Sequence, residues 1–248
     1  MNTLFHPIPS LYDTAFVLHE QGDPVQQYNQ WIMEHAPPDV DPVAGLGWVW
    51  VLRERGEQHE LDNAGRVAVL HHRADCEAML FAAGQEIAQI PDHENHPEQI
   101  AAIMNPVMAA IQQLAAENVG LREGEWLFFL GDDEDPDEFV QFFIDLAESL
   151  RAGPLQLLNG QGDLPVVTAV KISGMLYPHP EHDNACIAVL FEDCWNQDHA
   201  REVFQALQHH HPAFAPIGVK CRLYSSLGIY DDNVWNVPIC HFFPHDMD

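Results

Sequence analysis

The chain has 248 residues, of which 38 are acidic and 10 are Lys or Arg, giving a formal net charge of −28 at pH 7. Its hydrophobic content of 47%, with 6 Trp and 13 Phe, excludes an acidic disordered tail and calls for a packed core. The charge is shared equally between residues 1–125 and 126–248. Lys171 and Lys220 are the only lysines, so nothing resembles a basic patch for nucleic acid or for an anionic membrane surface.

In chain order, Ala15–His19 is a short apolar run that predicts a buried strand. Asp23 then offers an N-cap, Pro24 a first helical position and Gln26 the return partner of a capping box, with Pro37-Pro38 stopping the helix. Trp48–Leu52 and Arg66–His71 are the next two predicted strands, and a helix follows over roughly Asp75–Glu86. The apolar residues of Pro97–Asn118 keep helical spacing across Pro106, which predicts one helix kinked at Asn105-Pro106 or two short helices. Trp126–Leu130 is a strand. Asp135, Pro136 and Glu138 then read as the cap, first turn and box of a helix that runs to about Leu150. Strands are predicted near Pro165–Ile172, at Cys186–Phe191 and at Val219–Tyr224, with a short one at Leu155–Leu158 and a helix from about Gln197 to His210.

Residues 15–32 align without a gap with 127–144, and Val67–Leu70 matches Ile187–Leu190 at nearly the same offset. The ordered pair of matches suggests an internal duplication. The expected fold is therefore α+β: two duplicated ferredoxin-like halves, each βαββα with a final strand in the second. The halves pack together with a central helical insertion. The expected boundaries are residues 1–92 for the first half, 93–120 for the insertion and 121–248 for the second half.

Met1 is followed by no basic segment and no long apolar run, and no stretch approaches the roughly 18 apolar residues of a membrane span. A cytoplasmic location is expected. Cys76, Cys186, Cys194, Cys221 and Cys240 are odd in number and contain no C-x-x-C pair, which reads as buried free thiols in a reducing compartment. A zinc site built from Cys186, Cys194 or Cys240 with His241 is an alternative, although the spacing matches no common ligand pattern.

The densest acidic cluster is GDDEDPDE at Gly131–Glu138. Asp135, Asp137 and Glu138 are explained by the helix dipole, whereas Asp132, Asp133 and Glu134 are not. These three, with Glu192 and Asp193 in the acidic loop after a later strand, are the expected contact residues for a basic partner. Metal binding is the less favoured use of the Pro-bounded loops that hold His93 and His96, and His179, His182 and Asp183, whose His and carboxylate mixture suits a transition ion. No nucleophile elbow, Walker loop or dinucleotide fingerprint is present. The reading is an acidic, non-enzymatic binding protein without a cofactor that neutralises or regulates a basic protein, as an immunity protein, antitoxin or nuclease inhibitor does. The alternatives are a metal-dependent enzyme using the His and carboxylate loops, and a small-molecule module in the cleft between the halves.

Overall fold

The structure is a computed structural model that describes residues 14–18, 48–53, 63–91, 95–117, 121–131, 133–157, 166–173, 185–209, 214–227, 229 and 233–247. In chain order the elements are β1 (Thr14–Leu18), β2 (Trp48–Arg53), α1 (Asn63–Ile87), α2 (Pro97–Glu117), β3 (Gly124–Phe129), α3 (Pro136–Ala152), β4 (Val167–Ser173), β5 (Cys186–Phe191), α4 (Gln197–Leu207), β6 (Gly218–Cys221), α5 (Arg222–Ser226) and β7 (Cys240–Phe242). The helix expected from Asp23 to Pro37 lies outside the described residues.

The described strands form one sheet in the order β1-β2-β4-β5-β3-β6-β7. From β2 to β7 every pairing is antiparallel, and β1 joins the edge parallel to β2. The fold is thus mixed α+β. Residues 124–221 follow the expected order β3-α3-β4-β5-α4-β6. A duplicated first half is not confirmed. Val67–Leu70, one leg of the internal match, lies in α1 and not in a strand, while its counterpart Ile187–Leu190 is β5. No Pro separates Val67 from the helical pattern downstream, so helix propagation extends back through a β-prone tetrapeptide. The other matched strands differ in setting: β1 is an edge strand, and β3 is internal between β5 and β6.

β5 is buried at all six positions, which is why its sequence CIAVLF is apolar without alternation. Asp135 caps α3 by accepting the Asp137 N–H at 2.9 Å, Pro136 occupies the first turn, and no return bond from Glu138 forms. α2 continues through Pro106 as a single helix. The predicted strand Val219–Tyr224 stops at Cys221: the Arg222 N–H still meets the Glu123 carbonyl in register (3.0 Å), and residues 222–226 then coil into α5. No strand forms at Leu155–Leu157; the Leu155 N–H is taken by the Ser149 hydroxyl instead.

Alternation along the strands gives the sheet two buried faces. On one, Trp126, Phe128, Val170, Ile187, Val189 and Phe191 join the main core with α3 and α4. Trp126 stacks near Phe204 (5.3 Å between centroids) and donates from Nε1 to the Ala200 carbonyl (3.2 Å). Phe128 meets Phe142 edge-on at 5.1 Å, and Phe142 stacks on Phe214. Each such aromatic adds roughly 2–3 kcal/mol by burial alone. The other face carries a smaller cluster of Leu52, Leu127, Ala169, Cys186, Ala188 and Leu190. Beside it, Glu125, Lys171 and Lys220 are all buried.

Candidate functional site

The central placement of β3 decides what meets at its start. Gly124 pairs with Phe191, the last residue of β5, and also with Cys221, the last residue of β6. The loop leaving β5 and the turn leaving β6 therefore emerge at the same end of the sheet, on either side of one glycine. A Cβ at Gly124 would lie 2.2 Å from the Cys194 Cβ, so the missing side chain is where Cys194 packs. The Cys194 N–H donates to the Arg122 carbonyl (2.8 Å), Asp193 accepts the Trp195 N–H (3.0 Å), and Arg122 lies 3.6 Å from Asp193. These contacts fix the loop 192–195 against the segment that leads into β3.

Cys194, Cys221 and His241 meet here, with one ligand-type atom of each lying within 4.8 Å of the others. Both thiols are fully buried and the imidazole is partly so. Burial disfavours a thiolate at Cys221, but the hydrogen bond from the Cys194 thiol and the neighbouring His241 outweigh it and pull its pKa below the ordinary value. Cys194, which donates that bond and is itself buried, is pushed up. Burial raises the Tyr224 hydroxyl, and the two sulfurs nearby add to the effect. His241 is packed by Trp195 (ring centroids 4.1 Å) and Tyr224 (4.8 Å). The His241 Nε2 and the Trp195 Nε1 are buried without a hydrogen-bond partner.

Alongside lies a cavity of about 280 Å³ lined by Met108 and Gln112 of α2 and by Trp195, Tyr224, Val237, Pro238, Cys240 and His241. It lies between α2 and the C-terminal part of the chain and reaches the imidazole but neither thiol of the cluster. Val237 of that lining is held by the turn 233–237. The Asn233 carboxamide bonds both the N–H and the C=O of Val237 (3.0 and 2.8 Å), Asn236 takes a left-handed φ of 52°, and Trp235 donates to the Leu80 carbonyl of α1 (2.9 Å).

A second buried polar group lies close by. Lys171 reaches Glu125 at 2.9 Å, and Arg222 pairs with Glu123, whose other oxygen accepts the Thr168 hydroxyl at 3.2 Å. Burial opposes the charged form of Glu125, but Lys171 and then Arg222 hold its carboxyl below the usual range.

The residues predicted from sequence fare unevenly. Of Cys186, Cys194, Cys240 and His241, only Cys194 and His241 come together. Cys186 opens β5 at the other end of that strand, where burial pushes its thiol up to about 12. Cys240 lines the cavity and packs against Gly218. Cys221, left out of the predicted zinc set, is the third member. All five cysteines are buried and free, as expected.

His93, His179, His182, Asp183 and Asp132 lie outside the described residues. His96 is exposed and supplies the carbonyl that starts α2, accepting from Gln99 and Ile100. Asp133 is exposed, while Glu134 turns back to accept the Gly131 N–H at 2.6 Å. Glu192 and Asp193 are half-buried at the end of β5. Because β3 and β5 are antiparallel, with Gly124 opposite Phe191 and Phe129 opposite Cys186, the two acidic loops leave opposite ends of the sheet. They stand roughly 20 Å apart along the strands and do not form one surface.

No family model matches the chain, and no curated protein matches it in sequence. Among the described residues, no helix is long and apolar enough to cross a membrane.

Proposed function

We propose that the protein is an acidic, non-enzymatic binding protein whose partner is a basic protein, of the immunity-protein, antitoxin or nuclease-inhibitor type. The observation that carries this reading is where the few cations go. Arg73 pairs with Glu77, Arg122 with Asp193, Arg151 with Glu148, Lys171 with Glu125, Arg201 with Asp198 and Arg222 with Glu123. The positive charge of these side chains is answered within the fold, and the excess of a −28 chain is left to act outward. Such a field raises encounter rates with a cationic surface and repels acidic competitors.

The separation of the two acidic loops sharpens the reading, because a partner of ordinary size meets one sheet end at its centre. We assign that contact to Asp132, Asp133 and Glu134 ahead of Glu192 and Asp193, since Asp193 is already engaged with Arg122 and the Trp195 N–H. The test is capture from lysate at low salt with a salt-elution series. Association kinetics of the captured protein follow, against a variant with Asp132, Asp133 and Glu134 changed to Lys, and against Glu192→Lys. The expected result is a basic partner whose association slows and loses salt dependence in the triple variant, with Glu192→Lys closer to wild type. A neutral or acidic partner overturns the reading, and so does an on-rate that neither variant changes.

A further inference from the structure

We propose that Cys194, Cys221 and His241 hold a zinc ion, with the fourth coordination place facing the cavity bounded by Trp195 and Tyr224. The inference is independent of the acidic-surface reading and fails separately from it.

Geometry comes first. A tetrahedral zinc with Zn–S near 2.3 Å sets its sulfur ligands roughly 3.8 Å apart, and sulfur to nitrogen slightly less. The three donor atoms already lie within 4.8 Å of one another. Closing that gap takes movements of about 1 Å, which small χ adjustments of cysteine and histidine supply without moving a strand. The donors come from three separate elements, the loop after β5, the end of β6 and the middle of β7, so an ion would tie the C-terminal strand to the sheet centre.

The donor chemistry is soft and sparse. Two thiols with one imidazole select zinc over calcium or magnesium, and a set of three protein ligands leaves one place for water or a small donor. The His241 Nε2 is buried without a hydrogen-bond partner, an arrangement that costs free energy unless something else meets it. The cavity approaches from the His241 side and not from the thiols, so a fourth ligand has a route and the sulfurs stay shielded. The cluster also suits metal better than a nucleophile. Cys194 and Cys221 are both 0% exposed and neither lines the cavity, so a substrate would not meet them in the closed fold, and only a small reagent at long exposure labels them, through local opening. The backbone is arranged around the cluster too, since Gly124 leaves room for Cys194.

The full chain is purified under reducing conditions, stripped with chelator and titrated with cobalt and then zinc. The expected result is one equivalent of cobalt per chain with a thiolate-to-cobalt charge-transfer band and tetrahedral d–d bands, displaced by zinc. Cys194→Ser and Cys221→Ser should each weaken zinc binding by more than about a hundredfold, since loss even of an outer partner costs 10–100-fold. Joint replacement of His179 and His182 by Ala should leave the band unchanged. A variant that fails to fold is bypassed by alkylating native wild-type protein. Zinc should protect Cys194 and Cys221 from alkylation and leave the labelling of Cys76 and Cys186 as it was. The absence of a thiolate band in fully reduced protein overturns the proposal. So does zinc binding that survives Cys221→Ser, which would move the ion to the histidine loops, and so does equal alkylation with and without zinc.

Discussion

The two ends of β3 differ in how the chain handles polar groups. At the start, around residues 122–125, each charged side chain has a partner: Arg122 has Asp193, Glu123 has Arg222, and Glu125 has Lys171. The thiols and imidazole of Cys194, Cys221 and His241 are enclosed there too. At the other end, past Phe129, Asp133 is exposed and the local bonds serve only to shape the turn and cap α3. A run of like charges is conspicuous in sequence, yet here it belongs to a solvated turn. The polar residues that the fold encloses come from five separate segments and form no run at all. Substitutions at the two ends should therefore differ by several-fold in cost, and that difference can be measured.

The largest effect is expected from Lys171→Met. It leaves the buried Glu125 carboxylate without its closest cation, a change that costs about 3 kcal/mol, with the nearby Arg222 and Lys220 charges holding it to that end of the usual range. In a chain of this size that is a fall in thermal midpoint of roughly 6–12 °C. Adding Glu125→Leu should restore most of the loss, because replacing both members of a buried pair is far milder than removing one. If the double variant melts as low as the single one, the pair does not act as a unit.

Gly124→Ala comes next. Its methyl group would overlap Cys194, 2.2 Å from that residue's Cβ, and overpacking of this kind costs about 2–3 kcal/mol. Circular dichroism melting measures the cost. A variant as stable as wild type would mean that the loop after β5 yields easily and that this end of β3 is not tightly built.

Acid should act on the same end. The folded pKa of Glu125 is depressed, so its contribution to stability is present above the ordinary carboxylate value near 4.3 and is lost as pH falls through the folded value. The urea midpoint should drop as pH falls below about 4, and less steeply in Glu125→Gln. Equal slopes in the two proteins would assign the acid loss to other carboxylates.

What was legible in the sequence follows the same division. β3, β4, β5, α3 and α4 were readable because each rests on local signals: an uninterrupted apolar run such as CIAVLF, or an Asp135-Pro136 start followed by Phe139, Phe143, Leu146 and Leu150. Val67–Leu70 was misread because a four-residue β-prone run carries no information about whether the helix behind it continues forward through it. β7 went unseen since three residues of a short edge strand have no periodicity to detect. Cys194 and His241 were visible as a pair of metal-compatible types, but Cys221 was not. Its membership depends on Gly124 pairing with both β5 and β6, a non-local fact that no spacing encodes.

The smallest effects are expected at the acidic turn, where two adjacent substitutions should separate structure from charge. Asp135→Ala removes the acceptor of the Asp137 N–H at the N-terminus of α3, and loss of such a cap costs about 1 kcal/mol. Asp133→Lys, two residues earlier, removes an exposed carboxylate that holds no bond in the turn, and it relieves repulsion within the cluster. Its thermal midpoint should move by less than about 2 °C, in either direction. Raising salt should narrow whatever shift is seen, since exposed charges are screened over about 10 Å at 0.1 M. The two variants therefore make a control pair: same loop, same loss of one negative charge or more, different structural role. If Asp133→Lys destabilises as much as Asp135→Ala, and salt does not reduce the difference from wild type, the turn is built on Asp133 itself. The two ends of β3 would then be alike in kind, and the charge of this loop would no longer be spare for a partner.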